Sequence, residues 1–281
     1  MSEDLPGILC HPDGEKSCGA CCGMYNHVDH GDDELRRRLR ERTRAFFDEC
    51  DIDDEESLRD FRHRWEDGAD VKLLEALPSC PFLGFVDFDD ADDGDGDFGR
   101  VGCLVHPLQN DGVDGRDCGI YDRFICDEYL CAAHDILGDE ELQLILDAVD
   151  DSYLYGLMIT NPKFVRQLLQ LVADRAGVWP PRRLLAQSEI VEEARICFEM
   201  MRQWPYRADD GIFGQMRVDG ELNTKRRPLP AERHDVASVD VDVLLACLGT
   251  ACESVDELEE ARRTVEERVD ALAEVVERLH P

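Results

Sequence analysis

Residues 17–23 read Ser17-Cys18-Gly19-Ala20-Cys21-Cys22-Gly23. Two cysteines three positions apart on a turn can aim their thiolates at one ion, and the small residues between them let backbone N–H groups approach the sulfurs. Adjacent side chains diverge, so one of Cys21 and Cys22 serves a second metal, another iron of a cluster, or no metal. The surrounding stretch from Gly7 to His30 is rich in Gly, Cys, His and Asp without an apolar period. It reads as loop and turn shaped around something other than a hydrophobic core.

Outward from that stretch, the run DDELRRRLRERTRAFF places Leu35, Leu39, Phe46 and Phe47 at helical spacing behind leading acidic residues, which predicts a helix from Asp32 to about Asp48. A second helix is expected from Ser57 to Trp65, opened by Ser57, and a third over Ala69 to Leu77. From Pro81 to His106 the pattern changes to two short β-like runs, PFLGFVDF and FGRVGCLVH, on either side of DDADDGDGD. This is a hairpin with an acidic tip. No register of the tip has the Asp, Gly and Glu positions of a calcium loop, so it reads as solvated.

Beyond Cys131 the periods are helical: Asp139 to about Asp150, Pro162 to Ala176, Ser188 to Gln203, Val239 to Leu248, and Ser254 to Leu279. A break falls at VWPPRR (Val178 to Arg183), and Gly211 to Arg233 reads as a linker or a short hairpin. In the last helix Val265, Val269, Leu272, Val276 and Leu279 form one apolar stripe. That stripe either docks on its own domain or offers a surface to a protein partner. The expected fold class is therefore mainly α (α+β), a helical protein with a small β-hairpin and an irregular cysteine-rich metal-binding region. Residues 1–135 would form the cysteine-cluster region with its helices and hairpin, and residues 136–281 a helical region packed on it.

Composition sets the partners. The 64 acidic and 31 basic side chains give a formal charge of -33, a field that repels nucleic acid and anionic membranes. An acid-rich surface with only Lys16, Lys72, Lys163 and Lys225 as lysines suits concentrated salt, which screens self-repulsion. No stretch is long and apolar enough for a membrane span, and Met1 to Gly7 carries two acidic residues where a signal peptide needs a basic and then an apolar run. The expectation is a cytoplasmic protein.

Thirteen cysteines in such a compartment argue against a disulfide framework. Ten of them fall within the first 131 residues. Cys50, Cys197, Cys247 and Cys252 stand apart and read as buried small hydrophobes. Cys126 and Cys131 form a C-x4-C pair, Cys80 heads a β-run, and Cys103 sits late in the second hairpin strand, three residues before His106. The expected metal ligands are Cys18, Cys21, Cys22, Cys80, Cys103, Cys126 and Cys131. An eighth ligand is left to Cys10, Cys118, His106 or Glu15. His27 and His30 flank Asp29 in an exposed-looking acidic loop, and like His134 they read as bystanders; Tyr121 and Tyr129 read as packing residues.

The series Cys18-x-x-Cys21-Cys22, then Cys80-Pro81-Phe82-Leu83, then Cys103, then Cys126 to Cys131 resembles the cysteine-cluster family described as a zinc- or iron-chelating domain with the motif C-x-x-C-x-x-C-C. The resemblance covers Glu15 to Cys131. It departs where the family motif begins with a cysteine, which is Glu15 here, and where the family has Arg-Pro before its final cysteine pair, where this chain reads Tyr121-Asp122-Arg123-Phe124-Ile125-Cys126. Members named as flagellin lysine N-methylases imply an iron–sulfur cluster.

Zinc takes four thiolate or imidazole ligands, and an iron–sulfur cluster four cysteines, so the spacing is compatible with both. The reading is a metal-binding protein with a cysteine-ligated iron–sulfur or zinc site. The alternatives are an iron–sulfur-dependent modifying enzyme resembling lysine N-methylases, and an interaction protein with a purely structural zinc site. No Ser–His–Asp arrangement, phosphate loop or dinucleotide fingerprint occurs, and pairs of acids among 64 identify no acid–base catalyst.

Overall fold

Ser254 accepts the Glu257 amide at 3.2 Å and so starts the longest helix where the sequence places it; most of the fold is built from such helices. The computed structural model describes residues 9–66, 72–73, 78–88, 98–208, 216–218, 221–223 and 230–280. In chain order the elements are α1 (Asp32–Glu49), α2 (Glu55–Glu66), β1 (Leu83–Phe85), β2 (Val101–Cys103), α3 (Arg123–Glu128), α4 (Ala133–Ile136), α5 (Asp139–Ala148), α6 (Ser152–Thr160), α7 (Pro162–Ala176), α8 (Arg182–Leu185), α9 (Ser188–Glu199), β3 (Met216–Val218), β4 (Glu221–Asn223), α10 (Pro230–His234), α11 (Asp242–Cys247) and α12 (Val255–Leu279). The protein is mainly helical with small antiparallel hairpins. Two 3-10 turns, Pro107–Gln109 and Arg116–Cys118, follow β2.

By its contacts the chain forms two compact units, one of Pro6–Leu130 with Asp151–Gly156, the other of Cys131–Asp150 with Leu157–Pro281. The first unit's main segment ends at Leu130, five residues before the expected end of the cysteine-cluster region, and residues 151–156 join it.

In the first unit, α1 begins with three acidic residues, which suit the positive end of a helix, and buries Leu35, Leu39, Thr43 and Phe46. The next helix, α2, starts two residues before the expected Ser57. Asp54 takes the Glu56 amide at 3.0 Å, and the Ser57 hydroxyl donates back to the carbonyls of Asp51 and Asp54. A carboxylate that can reach the first turn outcompetes a serine already inside it. Phe61 and Phe82 stack at 5.9 Å, and Phe46 meets both rings edge-on at 5.6 and 6.0 Å. Leu58, Leu104, Val105 and Cys118 complete this core.

The hairpin forms as its two runs predict, with Leu83 opposite Cys103, Gly84 opposite Gly102 and Phe85 opposite Val101. Two of its outward-facing amides are taken by hydroxyls: Phe85 donates to Thr43 Oγ1 at 3.0 Å and Val101 to Ser17 Oγ at 2.7 Å. The acidic tip, residues 89–97, lies outside the described residues, as does most of the expected helix Ala69 to Leu77.

In the second unit, α12 packs along α7 and α9 and buries Leu258, Val265, Val269, Leu272 and Val276. The apolar stripe that could have served a partner is therefore spent within its own unit. Pro162 at the first turn and Gly177 in the left-handed region (φ 70°) bound α7 where the sequence puts them. The buried Arg262 guanidinium of α12 donates to both oxygens of Asp242 on α11, each at 2.8 Å. The Gly211 to Arg233 segment contains the short β3–β4 pair, with Met216 opposite Asn223. No described helix is long and apolar enough to cross a membrane.

Candidate metal centre

The segment around Cys18 to Gly23 is turn, as its composition dictates. The Cys22 amide donates to Gly19 O at 3.1 Å and the Gly23 amide to Ala20 O at 2.9 Å, and the Cys18 amide fixes the segment to Cys10 O at 2.8 Å. Gly23 has φ 87°, and a Cβ there would lie 2.7 Å from the Ser79 backbone, so only glycine lets residues 78–80 come this close. That approach places the Cys80 amide on the Cys22 carbonyl at 2.8 Å and the Ser79 hydroxyl on Gly23 O at 3.3 Å. Ser17 is fully buried; its amide donates to Ser152 Oγ at 3.1 Å, in the segment that joins this unit.

Cys80 precedes β1 and Cys103 ends β2, so the ladder brings the two into one neighbourhood, and both pack against the aromatic core. Cys126 lies on α3, exposed. All thirteen cysteines are thiols. Burial pushes the Cys22 thiol well above its ordinary value, and the charges of Cys80, Cys103, Cys126 and Cys10 push it the same way. Burial and then Cys80 raise Cys103 to about 12. Burial also raises Cys80 and Cys126; Arg42 and Arg62 pull Cys80 back, and Arg116 does the same for Cys126. In a chain of charge -33, the thiols of this region have guanidinium groups for neighbours.

Of the expected ligands, Cys80, Cys103 and Cys126 lie within electrostatic reach of Cys22, and Cys21 within that of Tyr121. Cys18 is half-buried on the turn, and Cys131 is half-buried in the other unit. Of the candidates for an eighth ligand, Cys10 is among the thiols bearing on Cys22. Cys118 is a core residue whose neighbouring charges are Arg59, Glu55, Asp117 and Arg62. His106 uses Nδ1 to accept the Leu108 amide at 3.2 Å, and Glu15 is exposed.

The loop of His27 and His30 is less open than its acidic neighbours suggest. Both histidines are buried, and His30 Nδ1 donates to His27 O at 2.8 Å, as a structural histidine does. His134 is half-buried on α4. Cys197 and Cys252 are buried, as expected for small hydrophobes, while Cys50 and Cys247 are half-buried. Tyr121 was legible only as a packing residue. Its hydroxyl donates to Pro78 O at 3.4 Å, and burial, followed by the charges of Cys22, Cys80 and Cys21, raises it to about 12.

The donor types suit a thiophilic metal, with several thiols supplied by separate segments, although burial keeps them protonated as the chain stands. As the chain stands, no three His, Cys, Asp or Glu side chains among the described residues converge tightly enough to hold one ion. Comparison with protein-family models, with curated proteins and with solved structures finds no match for this chain.

Proposed function

We propose that this protein binds a thiophilic metal, as zinc or as an iron–sulfur cluster, through cysteines of its N-terminal unit. The observation that carries the reading is the Cys80 amide on the Cys22 carbonyl, which joins the two most distinctive cysteine motifs across 57 intervening residues. The hairpin adds Cys103 and α3 adds Cys126, and the resemblance over Glu15 to Cys131 points the same way. Cys22, Cys80, Cys103 and Cys126 would hold the metal, with Cys10 and Cys21 adjoining.

A bound cation would supply the charge that lets these crowded thiols ionise together, and its uptake would release their protons. The thiols would have to draw inward onto the metal. Anaerobic purification followed by visible absorption and metal analysis tests the reading. A brown preparation with iron and acid-labile sulfide, or a colourless one with stoichiometric zinc, supports it and identifies the metal. Copurification of neither metal, with no uptake of either on reconstitution, overturns it.

A further inference from the structure

We propose that Arg116 is a positioning residue that holds α3, and with it the Cys126 thiolate, against the rest of the metal centre; this rests on the reading above. The helix α3 has no buried residue of its own, and Phe124 and Ile125 point into solvent at 67% and 49% exposure. Burial therefore cannot fix a six-residue helix of this kind, and isolated helices of that length do not persist in water.

What holds it is charge. Arg116 sits on the preceding 3-10 turn and is buried. Its guanidinium grips Asp114 through Nε at 2.8 Å and Nη2 at 2.7 Å, which fixes its plane, and its remaining nitrogen Nη1 pairs with Asp127. Asp127 is the residue next to Cys126. A weaker pair, Arg123 to Asp117 at 3.4 Å, joins the same turn to the start of α3, where the Arg123 amide also donates to Asp117 Oδ1 at 3.2 Å. The exposed helix α3 is thus tied to the preceding turn near both of its ends, and the Arg116 tie is the one made by a buried cation. The same cation opposes part of the rise that burial imposes on the Cys126 and Cys103 thiols.

Removing a group that orients a metal ligand typically weakens metal binding by roughly 10–100-fold. Arg116→Gln, Arg116→Lys and Asp127→Asn are compared with the unaltered chain, reduced and metal-free, for amide hydrogen exchange over residues 123–128 and for the iodoacetamide alkylation rate of Cys126 relative to Cys80. Zinc affinity is then measured by competition with a chromophoric chelator. Arg116→Gln and Asp127→Asn are expected to speed exchange in α3 and, once corrected for each variant's thiolate fraction, alkylation of Cys126, leave Cys80 unchanged, and lower zinc affinity by roughly 10–100-fold. Arg116→Lys should restore part of each.

Unchanged exchange and unchanged Cys126 alkylation in both neutral variants overturn the inference. Asp127 is on the exposed side of the pair, so Asp127→Asn reads the tether even if Arg116→Gln fails to fold. If the unaltered chain takes up neither zinc nor iron, the metal reading falls alone, and the metal-free exchange and alkylation rates still decide whether Arg116 holds α3.

Discussion

The Cys80 amide donates to the Cys22 carbonyl at 2.8 Å, directly beside the point where Gly23 lets the Ser79 backbone approach. Two motifs far apart in sequence are thereby registered by a backbone hydrogen bond that uses neither sulfur. The arrangement makes the cysteine side chains separable from the backbone that carries them.

Cys22→Ser and Cys80→Ser keep that backbone contact and remove a thiolate each. Each is expected to lower metal affinity by more than the roughly 10–100-fold typical of an orienting group, and to lower the melting temperature of the loaded protein towards that of the metal-free form. Cys118→Ser, in the aromatic core, should cost stability without changing metal stoichiometry. Metal analysis and thermal melts of the three variants check this.

Gly23→Ala must adopt φ 87° with its Cβ 2.7 Å from a backbone atom. A cost of about 2 kcal/mol or more is expected. Gly14→Ala, where an added Cβ meets nothing within 4 Å, is the matched control and should be near neutral. Denaturant midpoints of the pair decide it.

Asp242→Ala leaves the Arg262 guanidinium buried without its two-pronged partner. Removing one member of a buried pair costs about 3–5 kcal/mol, and the Asp242→Ala/Arg262→Ala double variant should lose less than the sum of the two single losses. A double-mutant cycle by chemical denaturation measures the coupling.

Burial, aided by the Glu193 charge, raises Cys197 from 9.0 to about 12, and burial raises Cys247 to about 11. A thiol whose pKa is higher in the folded state contributes stability that is complete below its unfolded value and is lost as pH rises through its folded value. Melting temperature should therefore fall between pH 9 and pH 12, and Cys197→Ala should make that fall shallower. Thermal melts across that range test the sign.

With a formal charge of -33, self-repulsion opposes the compact state at low ionic strength. The melting temperature should rise from low to molar potassium chloride. A flat response would mean that the charge is already balanced within the fold.

Amphipathic helices were legible: the limits of α7 match its proline and glycine, and α12 matches its stripe and serine cap. The helix α6 was not, because SYLYGLMIT is apolar nearly all round; Tyr153, Leu154, Tyr155, Leu157 and Met158 are all buried, and a helix buried on every side has no period to read. The approach of residues 78–80 to Cys22 was foreshadowed by shared cysteines and glycines, but its register depends on a long-range bond. The Arg116–Asp127 tether had no sequence signal, since 64 acidic residues offer every arginine many partners. Cys118 and Cys10 were equal candidates until packing placed one in the core and the other beside Cys22.

The hydroxyls of Thr43 and Ser17 occupy opposite edges of the β1–β2 hairpin at Phe85 and Val101. An exposed strand edge is a template on which another chain can add a strand, and two-stranded sheets have little but edge. With an outward amide taken on either side, this hairpin offers a growing aggregate no matched row of donors. The strand pair that carries Cys103 thus stands in a form that resists the addition of a further strand.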